Sequence, residues 1–330
     1  MTASFEPAPL LRHPDAQTIF ANLWRPRPGP PVNRVRWELD DGDFLDLDRA
    51  AGPGPDAPVA VLCHGLEGSS TAPYVRGLAR ALVARGLAVV ALNFRTCSGV
   101  PNRLPRSYHS GETTDLGEVV RRLVVERPSR AVVVAGFSLG GNVVTKWLGE
   151  HGEGLAPQVR GGAAISVPFD LGACQRRVDG PGRIMWIYRE RFMRRLRRKA
   201  ALKARQFPGL LDAAALAHAT TFAEYDELVT APTHGFASRD DYYQRCSAGR
   251  FLAGIRRPYL AVSAADDPLV PAESLPVAAA EANPAVRLLV TPHGGHTGFV
   301  DGTPLRPGFW AERIVADFLA EIAGATSGRP

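Results

Sequence analysis

Short runs of apolar, often β-branched residues recur along this chain of 330 residues and alternate with stretches of helical periodicity. A strand that is apolar along its whole length is buried on both faces, as in a parallel sheet that helices cover. The sequence therefore predicts an α/β protein with a mostly parallel central sheet and helices on both faces. The apolar runs occupy residues 59–63, 87–93, 131–135, 162–166, 258–263 and 286–291, and the helical stretches include 74–85 and 114–126.

The N-terminal part of the chain departs from this alternation. Residues 1–31, which include a proline-rich stretch at 25–31, are expected to form an extended N-terminal arm. Residues 32–39 and 44–49 are predicted to be two short strands joined by an Asp-Gly turn. That hairpin can form an antiparallel edge of the sheet.

The alternation of apolar runs and helical stretches has one long interruption in the rest of the chain. The regular alternation stops after Pro168 and resumes near Pro258. We therefore expect a core made of residues 32–168 and 255–330, with residues 169–254 inserted as a helical lid that excludes water and shapes the pocket beneath it.

The sequence Gly-Phe-Ser-Leu-Gly at residues 136–140 lies between an apolar run and a helical stretch at 142–150. A strand that turns sharply into a helix forces its corner residue into strained backbone angles, and small residues two positions away leave room for it. Ser138 would then project at a helix N-terminus, where unsatisfied N–H groups favour a developing oxyanion. The context predicts a nucleophile, and an ordinary glycine-rich turn is the alternative.

A serine hydroxyl needs a base, and the base needs a carboxylate that fixes its tautomer. Asp266 and Asp267 follow one apolar run, and His293 and His296 follow the next. Because parallel strands end at the same edge of a sheet, these side chains are expected to lie near Ser138. The chain order Ser, Asp, His is that of the α/β-hydrolases.

Within each pair one residue is preferred. Asp267 lies four residues before Pro271, the usual spacing for the acid of such hydrolases, whereas Asp266 is expected to cap the loop. His296 is preferred because two glycines precede it in a flexible loop, which leaves His293 as a loop residue bonded to backbone. A metal site at this His-x-x-His is the alternative, but the helical H-E-x-x-H geometry is missing. We expect neither a metal nor a cofactor.

Two backbone N–H groups are expected to form an oxyanion hole. One belongs to Leu139, the residue after the nucleophile. The other should come from the loop after an earlier strand, and residues 64–70, His-Gly-Leu-Glu-Gly-Ser-Ser, fit that place. Leu66 is the candidate donor. His64 is left out of the catalytic set because an imidazole in such a turn more often orders the loop by hydrogen bonds.

Four stretches give the chain a clear resemblance to a known family. The chain resembles the α/β-hydrolases that include bacterial YheT-like hydrolases and eukaryotic ABHD1/ABHD3-type lipases. It departs from them at Thr96, where the family usually has glycine, and at Asp15 or Ala16, where it has a bulky residue. The resemblance implies a serine ester hydrolase acting on small esters or acylglycerols. The stretches are residues 13–19, 64–70, 93–99 with 108–116, and 136–142.

Composition agrees with an ordinary globular enzyme. Hydrophobic residues make up 45% and charged residues 22% of the chain. Its four cysteines have no C-x-x-C spacing, which is typical of a reduced, cytoplasmic protein. No secretory signal is visible and no run approaches 18 apolar residues, so any membrane contact is expected to be peripheral.

The lid contains a strongly basic stretch at 183–205. Ile184, Ile187, Tyr188 and Phe192 recur there at helical spacing among many arginines. A basic amphipathic helix that binds an anionic lipid surface at the inner membrane is one interpretation. The other, which we favour, is a solvated helix whose apolar stripe packs on the core. The net charge of +6 is then a local patch, and no nucleic-acid-binding signature accompanies it.

The sequence predicts a carboxylesterase for short- to medium-chain esters or acylglycerols, with a Ser138, Asp267 and His296 triad. The same triad could transfer the acyl group to an alcohol, if the lid keeps water out. It could also cleave amides, because the triad does not define the leaving group. A non-catalytic lipid- or ligand-binding protein on the same scaffold is the alternative from another class.

Overall fold

A mixed sheet forms the centre of the molecule. The computed structural model describes residues 4–26 and 28–325, and within these residues eight strands join in one sheet while two more form a separate hairpin. The strands of the sheet are β1 (Asn33–Glu38), β2 (Phe44–Ala50), β3 (Val59–Cys63), β4 (Ala88–Asn93), β5 (Val132–Phe137), β6 (Val159–Ile165), β7 (Tyr259–Ala264) and β8 (Val286–Thr291). The hairpin consists of β9 (Val300–Thr303) and β10 (Arg306–Phe309).

The sheet order is β1-β2-β4-β3-β5-β6-β7-β8. The first two strands run antiparallel to their neighbours, and every pair from β4 to β8 is parallel. In the pair of β3 and β5, Val61 lies opposite Val134, and both are fully buried. Burial of each side chain contributes roughly 1.5–3 kcal/mol to the free energy of unfolding. The predicted α/β fold with a mostly parallel sheet is confirmed.

Helices cover both faces of the sheet. One face packs against α2 and α12, and the other packs against α3 and α4. None of the helices in the described part of the chain is long and apolar enough to cross a membrane. The helices outside the residues 169–254 are α1 (Pro14–Trp24), α2 (Pro73–Val83), α3 (Thr114–Glu126), α4 (Leu139–His151), α11 (Val277–Glu281) and α12 (Trp310–Ile322).

The chain between β6 and β7 is helical, and we call residues 169–254 the lid segment. Its longest helix is α6, which has 24 residues. The division of the chain into arm, core and lid stays a prediction, and residues 1–3, 27 and 326–330 of those ranges lie outside the described residues. The helices of the lid segment are α5 (Leu171–Asp179), α6 (Arg183–Gln206), α7 (Ala213–His218), α8 (Phe222–Tyr225), α9 (Ala231–Thr233) and α10 (Arg239–Cys246), with a π-helical turn at Asp226–Thr230.

The N-terminal arm was expected to be extended, but part of it forms a helix. Helix α1 begins at Pro14, where proline is favoured because the first helical N–H has no intrahelical partner. The His13 side chain caps it by accepting a hydrogen bond from the Asp15 N–H at 3.3 Å. Gln17 and Thr18 are buried against the rest of the protein. Their contacts with His296 and Val300 place α1 beside the chain that follows β8.

Candidate active site

Ser138 occupies the corner between β5 and α4. Its backbone has φ 51° and ψ −119°, angles that a non-glycine residue rarely adopts. A side chain on Gly136 would collide with the Gly140 carbonyl, and one on Gly140 would lie 2.5 Å from the Cys63 carbonyl oxygen. The two glycines are therefore required by close packing at the corner, and they leave the Ser138 hydroxyl projecting from the first turn of α4.

Three side chains from distant parts of the chain meet at this corner. The Ser138 Oγ lies 2.9 Å from His296 Nε2, and His296 Nδ1 lies 2.8 Å from Asp267 Oδ2. The second carboxylate oxygen of Asp267 accepts hydrogen bonds from the Leu269 and Val270 N–H groups at 2.8 and 3.1 Å. Such an arrangement can activate the hydroxyl as a nucleophile, because the imidazole can accept its proton while the carboxylate fixes the tautomer.

The neighbouring pair, Asp266 and His293, lies beside this set and does not contact Ser138. Asp266 Oδ1 accepts a hydrogen bond from the Gly295 N–H at 3.0 Å, so it caps the histidine loop as expected. His293 was expected to bond to backbone, but its Nδ1 lies 3.2 Å from Asp266 Oδ2. Over residues 4–26 and 28–325, no three His, Cys, Asp or Glu side chains are grouped so that they could hold a metal ion.

Helix α1 holds the loop that carries His296. The Thr18 hydroxyl accepts a hydrogen bond from the His296 N–H at 2.9 Å, and Arg25 Nη2 donates to the Thr297 carbonyl at 2.8 Å. Gln17 bonds to both the N–H and the carbonyl of Val300, at 2.6 and 3.0 Å. Residues 13–19 form one of the stretches that carry the family resemblance, but their sequence does not indicate this role.

The second candidate oxyanion donor lies in a tight turn after β3. The Gly68 N–H bonds to the Gly65 carbonyl at 2.9 Å, and Glu67 has φ 54°. The Leu66 N–H and the Leu139 N–H form no hydrogen bond with any described residue, whereas both neighbours of Leu66 donate to tyrosine hydroxyls. Two unpaired N–H groups beside a serine can stabilise an oxyanion.

His64 makes the loop-ordering hydrogen bonds that the sequence analysis assigned to it. Its Nδ1 lies 2.7 Å from the Gly65 carbonyl oxygen, and its Nε2 accepts a hydrogen bond from the Phe94 N–H at 3.2 Å. Burial lowers the pKa of His64 to about 4. A neutral imidazole that uses both ring nitrogens in backbone contacts has no capacity left to act as a base.

The stretches 93–99 and 108–116 support the same turn. Arg95 is almost fully buried and pairs with Asp43 and Asp115, with both N···O distances at 2.8 Å. The Tyr108 hydroxyl accepts a hydrogen bond from the Glu67 N–H in the turn that contains Leu66. Thr96 has φ 70°, a left-handed conformation that glycine adopts freely and that strains a residue with a side chain.

A cavity of about 540 Å³ lies between Ser138 and the lid segment. Its walls combine the turn after β3, the loop of His296 and side chains of α6. The volume is in the range of small-molecule sites. Apolar residues on its walls include Leu171, Val178, Phe192, Leu196, Leu211, Phe222, Val229 and Leu269.

Three of the four residues of the predicted apolar stripe of α6 pack against the protein, because Ile184 and Phe192 lie partly buried against the same cluster as Tyr188. Tyr188 is buried and donates a hydrogen bond to Asp15 at 2.8 Å, but Ile187 is 44% exposed. Met185, Met193 and Leu196 are also buried, and they extend this face along the helix with the 3.6-residue period. Peripheral membrane contact through residues 183–205 stays a prediction. The buried residues of α6 are Met185, Tyr188, Met193, Leu196, Ala200 and Lys203.

Comparison with known proteins places this geometry in context. A family model described as the alpha/beta hydrolase fold matches residues 58–303. YheT of Escherichia coli (strain K12), an esterase by name, is 37% identical over 331 residues, which cover 99% of this chain and 96% of YheT. Phospholipase ABHD3 of Mus musculus is 28% identical over 300 residues, covering 88% of this chain and 72% of that protein.

Solved structures give the same fold. The Pyrococcus furiosus esterase Pf2001 superimposes with a TM-score of 0.57 at 17% identity, over 97% of this chain and 98% of the esterase. At that identity the likeness concerns the fold alone.

Proposed function

This chain belongs to the α/β-hydrolase family, in the group that contains YheT and ABHD3, and is an esterase- or lipase-like hydrolase; we propose that it is a serine carboxylesterase. The observation that carries the proposal is the continuous contact from Ser138 through His296 to Asp267, at 2.9 and 2.8 Å. Ser138 and His296 line the cavity together with Leu66 and Leu139, whose N–H groups form no hydrogen bond with any described residue.

The reaction follows from these positions. The Ser138 Oγ attacks the ester carbonyl carbon while His296 Nε2 takes the hydroxyl proton, and the carbonyl oxygen becomes an oxyanion held by the Leu66 and Leu139 N–H groups. Asp267 stabilises the imidazolium, which then protonates the leaving alcohol as the carbon–oxygen bond breaks. A water molecule attacks the acyl-enzyme, gives its proton to His296, and the acid leaves with Ser138 restored.

The cavity supports short- to medium-chain esters or acylglycerols as substrates. Its volume of about 540 Å³ and its apolar side chains suit an acyl chain, and Ser138 and His296 line the same cavity. The names of the relatives, an esterase and a phospholipase, agree with an ester as the scissile bond.

The substitution Ser138→Ala tests this function. We expect it to abolish hydrolysis of p-nitrophenyl butyrate and labelling by a fluorophosphonate while the thermal unfolding temperature changes little. Ser263→Ala is the matched control, because the Ser263 hydroxyl is buried in β7 without a hydrogen-bond partner in the described chain. Turnover by Ser138→Ala at the wild-type rate would contradict the proposal.

The same assay addresses the alternatives. Adding ethanol and measuring ethyl butyrate against butyric acid separates acyl transfer from hydrolysis. A non-catalytic binding protein would bind butyrate esters yet leave Ser138 unlabelled.

A further inference from the structure

The turn that carries the Leu66 N–H contains a strained and buried residue. Glu67 has φ 54°, a left-handed conformation that is unfavourable for a side chain of this size. Its side chain is only 2% exposed, although it bears a carboxylate. A buried charge and a strained backbone persist only where the surroundings hold them, so the contacts of Glu67 determine where the Leu66 N–H points.

Tyr108 makes two of these contacts. Its hydroxyl accepts a hydrogen bond from the Glu67 N–H at 2.8 Å and donates one to Glu67 Oε1 at 2.9 Å. The ring is itself fixed, because it stacks on Phe94 with the ring centroids 5.5 Å apart. Tyr108 therefore holds the turn from the core side.

Helix α6 of the lid segment makes the remaining contacts. Lys199 Nζ lies 2.9 Å from Glu67 Oε1, the same oxygen that Tyr108 contacts, and Arg195 Nη1 donates to the Glu67 carbonyl at 3.3 Å. The neighbouring thiol of Cys97 lies 3.1 Å from the Lys199 nitrogen. The ammonium of Lys199 supplies the positive charge that lets the Glu67 carboxylate stay buried.

We propose that Lys199 and Glu67 are positioning residues that couple the lid to the oxyanion hole. When α6 lies against the core, Lys199 neutralises Glu67 and the turn holds the Leu66 N–H beside Ser138. When α6 moves away, the carboxylate loses its counter-charge, the turn relaxes and one oxyanion donor is lost. Closure of the lid segment thus switches on turnover as well as enclosing the substrate. This inference rests on the proposed esterase function.

Lys199→Met tests the coupling because it keeps most of the aliphatic stem and removes the charge. We expect kcat for p-nitrophenyl butyrate to fall by about 10- to 100-fold, approaching the loss of one oxyanion donor, with KM little changed. Sulfur accepts these hydrogen bonds poorly, so the ratio of kcat on the ester to kcat on its thionoester should fall by a similar factor. Lys199→Arg should restore both values toward wild type.

Lys203→Met is the matched control on the same helix. Lys203 donates to the carbonyl oxygens of Asn102 and Leu104 and does not contact the turn. We expect this variant to keep the wild-type ratio of ester to thionoester turnover even where its unfolding temperature falls. A similar collapse of the ratio in Lys203→Met would overturn the proposal, since general loosening of the lid would then explain both variants.

A double variant tests whether the two residues act as a pair. Lys199→Met leaves a buried carboxylate unpaired, and Glu67→Gln removes that charge while keeping an acceptor for Tyr108. We expect the double variant to be more active than Lys199→Met alone. The coupling would be contradicted if the fold-losses in kcat of the two single variants multiply in the double variant. It would also be contradicted if Lys199→Met keeps the wild-type ratio of ester to thionoester turnover. A wild-type protein that neither hydrolyses the ester nor is labelled at Ser138 would instead contradict the proposed esterase function.

Discussion

Gly140→Ala is the most direct test of how backbone packing sets the reactive corner. The added Cβ would lie 2.5 Å from the Cys63 carbonyl oxygen and closer still to that of His64, whereas an ordinary contact begins at 3.4 Å. Both obstacles are main-chain atoms at the end of β3, so neither can rotate away. To avoid this collision, the first turn of α4 must move by about 1 Å, and the Leu139 N–H moves with it.

The expected loss follows from that displacement. A misplacement of about 1 Å can cost on the order of 100-fold in rate, so kcat/KM for p-nitrophenyl butyrate should fall by about that factor. Overpacking should also lower the free energy of unfolding by about 1–3 kcal/mol. Steady-state kinetics and thermal unfolding followed by circular dichroism measure the two effects.

Gly172→Ala provides the control, because Gly172 is likewise the second residue of a helix, α5. Its added Cβ would meet the Arg176 guanidinium at 3.3 Å and Asp170 Oδ1 at 3.4 Å, and a flexible side chain can give way. Activity should stay near wild type, and stability should stay equal or rise by up to about 1 kcal/mol from helix propensity. Wild-type kcat/KM and unfolding temperature in Gly140→Ala would refute the reasoning.

Three further predictions concern the acid, the buried histidine and the N-terminal helix. Asp267→Asn should lower kcat by about 10⁴-fold because the imidazole loses its correct tautomer, whereas Asp266→Asn should stay close to wild type; comparable losses would contradict the choice of acid. Burial lowers the pKa of His64 to about 4 from an unfolded value near 6.5, so the unfolded state takes up a proton first as the pH falls. The free energy of unfolding should therefore decrease by up to about 3 kcal/mol between those pH values, and His64→Gln, measured by urea unfolding at several pH values, should lack this part of the slope. Thr18→Val should leave a buried N–H without its acceptor and lower the free energy of unfolding by about 1–3 kcal/mol, while the exposed control Thr220→Val should change it by less than about 0.5 kcal/mol; equal effects would contradict the role of α1.

Buried strands and the helices between them were predictable because their patterns are local. The run at 59–63 is apolar throughout, and the structure has a strand with those bounds, Val59–Cys63. The stretch at 114–126 has a repeating apolar face and forms α3 with the predicted bounds. In both cases the apolar residues that form the pattern are the ones that the structure buries, so sequence and structure agree.

The N-terminal helix shows how a local signal can be misjudged. The proline-rich stretch at 25–31 favoured an extended arm, but His13 and Pro14 form a helix start just upstream. The contacts of Gln17 and Thr18 with a loop about 280 positions later could not be read from the sequence, because no local pattern encodes them.

The candidate site was predictable as a set of residues, while its support was not. Ser138, Asp267 and His296 could be named because strand ends in a parallel sheet converge, and the structure brings these side chains into contact. Their catalytic roles stay a prediction. The pairing of Glu67 with Lys199, 132 positions away, depends on how the lid segment packs, which the basic composition of α6 does not indicate.

The clamp that α1 places on the histidine loop has a consequence for biosynthesis. Residues 14–24 leave the ribosome long before the backbone that they bind, from His296 to Val300. Until that backbone is made, the helix has no surface on which to dock. Its exposed apolar face then includes Ile19 and Leu23, which remain exposed in the folded protein. Because α1 can dock on the loop of His296 only after that loop has been made, this contact should form late in folding, and a bulky domain fused before α1 should slow maturation more than one fused after α12.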